Sequence, residues 1–128
     1  LKTVYRTMTQ NIDIKYIFRK PKFPLIGSFE GHFISANNTR ELSRKLSKIS
    51  LKADFYDFLD ITAEGWALHT EYMAISPVTL KKRWTKKEII ALFNERKNLD
   101  LSDGEMYSEK SLSSKRVHKI IYDLVEMS

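Results

Sequence analysis

The spacing of apolar residues changes period along this chain, and each change marks an element. From Tyr5 to Thr9 and from Ile12 to Phe18 polar and apolar residues alternate. Ile12, Ile14, Tyr16 and Phe18 fall on one side and Asp13 and Lys15 on the other, a period of two that predicts strands. "RKPKFP" cannot continue a central strand, because neither proline has an N–H for the ladder; it is expected as a turn or an edge crossing. "LIGSFEGHFIS" resumes the extended pattern, with Phe29 and Phe33 on one face and Glu30 and His32 on the other, and implies an N-terminal β-hairpin.

At "NNTRELSRKLSKIS" the period becomes helical. Asn38 stands three residues before Glu41, a variant of the capping box, and Leu42, Leu46 and Ile49 recur at i, i+4 and i+7 with Arg40, Arg44, Lys45 and Lys48 on the other faces. This predicts a helix over 39–49. In "DFYDFLDITAEGWALHTEY", residues 54–72, a helical count places Phe55, Phe58, Leu59, Thr62 and Trp66 in one arc of about 100° and Asp54, Asp57, Asp60 and Glu64 in a separate arc of about 120°. A strand would put Asp57 on the face of Phe55 and Leu59. The pattern predicts a helix over 51–75 closed by Ser76-Pro77, although the Phe, Tyr, Ile and Thr content favours strands and "TAEGW" could turn a hairpin.

Thr85 and Glu88 form a capping box ahead of Ile89, Leu92 and Phe93, which predicts a helix over 85–98. Val117, Ile120, Ile121 and Leu124 mark another over 112–126. Strands first and helices after give an α+β class: an N-terminal β-hairpin or small antiparallel sheet packed against three or four helices.

Length suits a single domain over 1–128, since two cores within 128 residues would each be marginal. No apolar run approaches the roughly 18 residues a membrane span needs, and the N-terminal stretch alternates where a secretory signal would carry an apolar block. The chain has no cysteine, which fits a reducing compartment, and a cytoplasmic location is expected.

Charge is segregated. Residues 1–50 carry ten Lys/Arg against three Asp/Glu, residues 51–76 one against five, and residues 77–128 eleven against eight. Basic ends of this kind attract polyanions, or else are ordinary solvated surface. Two stretches combine cations with aromatic residues: "FRKPKF" with Arg19, Lys20 and Lys22, and "LKKRWTKK" with Lys81, Lys82, Arg83, Lys86 and Lys87 around Trp84. Cations neutralise phosphates with release of counterions, and aromatic faces stack on unpaired bases. Lys115, Arg116 and Lys119 add a basic start to the last helix, so the two C-terminal helices resemble a helix-turn-helix pair with an over-long connection. Nucleic acid is therefore the leading partner. Trp84 could equally anchor the helix entrance in the core.

The alternative is a protein-interaction module or a homo-oligomer, using an acidic face (Asp54, Asp57, Asp60, Glu64) against the basic ends. The three aspartates at i, i+3 and i+6 could also raise one another's pKa for acid–base work, but nothing in the pattern buries them. They are expected to be solvated or paired with Arg40, Arg44, Lys45 and Lys48. "AEGWALHTE" resembles an EGWALY-type motif of uncharacterised bacterial proteins that look like zinc peptidases, and that resemblance maps a metal-ligating glutamate onto Glu64. It covers about eight residues and lacks the H-x-x-x-H pair that would direct two imidazoles at one ion; the only histidines are His32, His69 and His118. A hydrolase-like site around Glu64 is thus a third reading, and no metal or other cofactor is expected. With no P-loop, G-x-G-x-x-G or nucleophile elbow in the chain, a non-enzymatic binding module is expected.

Overall fold

The computed structural model describes residues 12–78, 83–96, 106–107 and 114–128; the strand expected over Tyr5–Thr9 lies outside them. Six strands, β1 (Lys15–Tyr16), β2 (Leu25–Phe29), β3 (His32–Ala36), β4 (Phe55–Leu59), β5 (Gly65–His69) and β6 (Ala74–Pro77), form one mixed sheet in the order β1-β6-β5-β4-β2-β3. Only β1 and β6 run parallel; the other neighbours are antiparallel. Among the described residues there are three short helices, α1 (Thr39–Leu46), α2 (Lys86–Asn94) and α3 (Val117–Met127). The class is α+β, but the expected balance is overturned: the molecule is mostly sheet, not three or four helices on a small hairpin.

The helix expected over 51–75 accounts for the difference. That stretch is β4, β5 and the start of β6, with β4 and β5 paired from Phe55↔His69 to Leu59↔Gly65. Both strands are internal to the sheet. Phe58 and Leu59, consecutive and therefore on opposite faces, are both buried, because each face is covered there. A strand covered on both sides loses its alternation and reads as an apolar run. The aromatic and β-branched composition was the truer signal.

A second correction concerns Phe29 and Phe33. Glu30 and Gly31, at φ 54° and 84°, make a two-residue turn of the kind that suits the twist of a hairpin. Phe29 pairs with His32 across it and Phe33 with Ser28, so the two phenylalanines face opposite sides. A period of two cannot be carried through a reversal of the chain.

The capping signals correspond to helix starts. Asn38 Oδ1 accepts from the Glu41 N–H at 2.8 Å, while the Glu41 carboxylate accepts from the Asn37 N–H at 2.6 Å, one residue earlier than in a regular box. Thr85 and Glu88 form the reciprocal pair. α1 stops at Leu46, short of the expected 49, where Lys48 and Ile49 turn their N–H groups to carbonyls three residues back.

The core lies on both faces of the sheet. On the front, Ile26, Phe33 and Leu59 pack under Ile89, Ile90 and Phe93 of α2 and Ile120, Ile121 and Leu124 of α3. On the back, Leu25, Phe29, Phe58, Trp66, Leu68 and Ile75 pack with Leu42 and Leu46 of α1. Each such side chain contributes about 1.5–3 kcal/mol of burial. Gly27 sits opposite Phe58 on the back face, where an added Cβ would lie 2.5 Å from the Phe58 Cβ. Its missing side chain lets the Phe29 and Phe58 rings approach to 6.0 Å. The front cover stops short of Phe55, which is 55% exposed, and of Asp57.

Candidate nucleic-acid interface

The turn between β4 and β5 is organised by a buried carboxylate. Asp60 is only 1% exposed and accepts from the Thr62 N–H (2.9 Å), the Thr62 hydroxyl (2.6 Å), the Glu64 N–H (3.2 Å), the Lys22 N–H (3.3 Å) and the Trp66 indole N–H (3.0 Å). Five donors make burial of a charge tolerable. Asp60 is therefore not the solvated residue of an acidic helix face. Asp57 is exposed on the front face and the Glu64 carboxylate pairs with Arg19, so the aspartates form neither an acid–base row nor a shared acidic face. The basic residues of α1 find their acid inside the helix: Arg44 and Lys45 lie 3.8 and 4.0 Å from Glu41. The sequence does hold a hint of the Asp60 turn, since Asp-x-Thr is an Asx-turn pattern.

This turn holds two basic segments that are about sixty residues apart in the chain. The Ile61 N–H donates to the Lys22 carbonyl at 3.1 Å, and the Trp84 N–H donates to the Ala63 carbonyl at 2.8 Å. Arg83 adds a guanidinium bond to the Thr62 carbonyl at 2.6 Å. "FRKPKF" and the described part of "LKKRWTKK" thus lie on the same turn, and Lys86 and Lys87 open α2 immediately after it. Lys20, Lys22, Arg83 and Lys87 are exposed, Lys86 half-buried; Lys81 and Lys82 lie outside the described residues.

The charge here is partly balanced. Arg19 grips Glu64 through its two terminal guanidinium nitrogens, one at 3.1 Å, and lies over the Trp66 ring, 4.9 Å from its centroid. The bond from Arg19 holds the Glu64 carboxyl below the usual carboxylate range against its partial burial, with Arg83 and Lys22 adding to the effect. In turn Glu64 raises the Arg19 pKa. Arg19 is an anchor as much as a cation. Trp84 is half-buried and packs against the front cluster beside α2.

The basic start of α3 lies elsewhere. Tyr107 exchanges hydrogen bonds with Asn94, at the C-terminal end of α2 (2.7 and 3.0 Å), and its hydroxyl donates to Asp123 at 2.5 Å. Lys115 and Lys119 each reach Asp123 at 2.9 Å. Burial works to raise the Asp123 pKa, but the bonds from Tyr107, Lys115 and Lys119 outweigh it and hold the carboxyl well below its ordinary range. The cluster meets α2 at Asn94, its last residue, about 12 Å of helical rise beyond Lys86. Arg116 stands at the N-terminal boundary of α3, with no side-chain capping bond, and is exposed.

The residue that sequence reasoning missed is Phe18. Alternation placed it with Ile14 and Tyr16 on an inward face; Ile14 is buried, but Phe18 is 90% exposed with φ 74°. β1 ends at Tyr16, and the turn expected from "RKPKFP" begins already at Ile17, which puts Phe18 within it.

Glu64, the position mapped by the EGWALY-like motif, has its carboxylate on Arg19, and His69, at the opposite end of β5, bonds Ser76 at 2.9 Å. Among the described residues no group of three or more His, Asp or Glu side chains could hold a metal ion, and no helix is long and apolar enough to cross a membrane. Comparison with protein-family models, with curated proteins and with solved structures gives no match.

Proposed function

We propose that this protein is a non-enzymatic, cytoplasmic module that binds nucleic acid through the basic end of its sheet. One observation carries the reading: the turn at 60–64 ties the Lys22 segment and the Arg83 segment together, so cations that are remote in sequence share one surface. Lys20, Lys22, Arg83, Lys86 and Lys87 are the phosphate-contacting candidates; Arg19 positions the loop. Fluorescence anisotropy with a mixed-sequence oligonucleotide tests it. Five phosphate contacts correspond to a slope of about −4 for log K against log salt concentration. Binding that is absent at low salt, or indifferent to salt, would refute the reading.

A second reading, a protein partner or a second copy of the chain, draws support from the uncovered end of the front face, where Phe55 is 55% exposed with its ring 6.5 Å from that of His69. It predicts a concentration-dependent oligomer or captured protein in light scattering that Phe55→Ser abolishes.

A further inference from the structure

Phe18 combines two features that the isolated chain disfavours. Its ring is 90% exposed, and its backbone sits at φ 74°, a region that bulky residues rarely adopt. The Arg19 N–H returns to the Ile17 carbonyl at 2.9 Å across it, which makes Ile17–Arg19 a γ-turn of the rarer, strained hand. Both flanks are tied down. The Ile17 N–H donates to the Ile75 carbonyl at 2.8 Å, and Arg19 is clamped on Glu64 and over Trp66. A fully exposed aromatic ring held out by a strained and doubly anchored turn is a mark of a contact made with something else.

The surroundings say what that contact is. Lys20 and Lys22 follow the turn, Lys20 with its ammonium 5.3 Å from the Tyr16 ring centroid, and Arg83 lies beside Glu64 on the same end of the sheet. Cations around a single protruding ring match a strand whose phosphates run past the base that stacks. A duplex presents no unstacked base face to such a ring; a single strand does. Resting on the nucleic-acid reading above, we infer that Phe18 is a base-stacking residue and that the basic end selects unpaired strands over duplex. The ring in this role is Phe18, while Trp84 packs against the core.

The test uses the full chain, as wild type, Phe18→Ala and Phe18→Trp, with labelled single strands of about twelve nucleotides and the same sequence as duplex. Phe18→Ala is expected to weaken single-strand binding about 5- to 100-fold, leaving duplex binding and the salt slope unchanged. Phe18→Trp is expected to keep the affinity, with its emission quenched on binding. If Phe18→Ala binds single strands as well as wild type while salt-dependent binding persists, the inference fails and the nucleic-acid reading stands. If wild type binds neither oligonucleotide, both fail. If the Phe18→Trp emission moves to the blue with vesicles of phosphatidylserine and phosphatidylcholine but ignores oligonucleotides, the ring belongs to a lipid surface and the inference is overturned.

Discussion

Two clusters of cations meet carboxylates in this protein, with different results. Around the β4–β5 turn, Arg19, Lys22 and Arg83 surround two acids, one of which, Asp60, is buried and occupied by donors of its own turn, the Trp66 indole and the Lys22 amide, leaving Glu64 as the acid that faces the cations. On α3, Lys115 and Lys119 share Asp123 with Tyr107, so both ammonium groups are engaged by one carboxylate. The first cluster keeps surplus positive charge on an exposed surface; the second is a clamp that ties residue 107 and the end of α2 to α3. Counting lysines treats them alike. Whether a cation is available to a ligand depends on where the nearest carboxylate directs its lone pairs.

The largest separation between them should come from Asp60→Ala, which strands the Trp66 indole, the Thr62 and Glu64 amides and the Lys22 amide without an acceptor. It should cost about 3–5 kcal/mol in urea unfolding and abolish oligonucleotide binding. Asp123→Asn should cost about 1–2 kcal/mol and leave binding intact. Its pH dependence has a definite sign. A carboxyl held below its ordinary range stabilises the fold fully above the unfolded pKa of about 3.9 and loses that contribution as pH falls toward the folded value. The stability gap between wild type and Asp123→Asn should therefore be full at neutral pH and close in acid. Glu64→Gln, which removes the acid facing the first cluster but also loosens the Arg19 clamp beside Phe18, should raise duplex affinity about two- to fivefold at low salt. Smallest of all, Lys22→Ala should reduce the salt slope by about 0.7 with a single strand or about 0.9 with a duplex, whereas Lys115→Ala should leave it unchanged. Equal slopes for those two variants would erase the distinction between the clusters.

The elements that the sequence discloses are those set by neighbours a few residues apart. Asn38 with Glu41 and Thr85 with Glu88 mark helix starts because a cap is a bond across three residues. Leu42 and Leu46, and Ile120, Ile121 and Leu124, mark buried helix stripes for the same reason. The stretch from Asp54 to Tyr72 was misread because its burial comes from strands remote in sequence: β2 covers one edge of β4, while α2 and α3 arrive from the C-terminal half. The candidate site was legible as two aromatic and basic stretches. Their meeting on one turn was not, nor was the outward position of Phe18, which depends on a pairing between β1 and β6 and on an ion pair spanning 45 residues.

By itself, then, the sequence determined the α+β class, the helix caps and the basic character of two segments, all consequences of local hydrogen bonds and composition. The tertiary structure decided the dominance of the sheet, the burial of Asp60 and which cations are matched by a carboxylate. Those outcomes turn on contacts between residues distant in the chain, where a desolvated carboxylate must find every donor it needs, and no local periodicity records them.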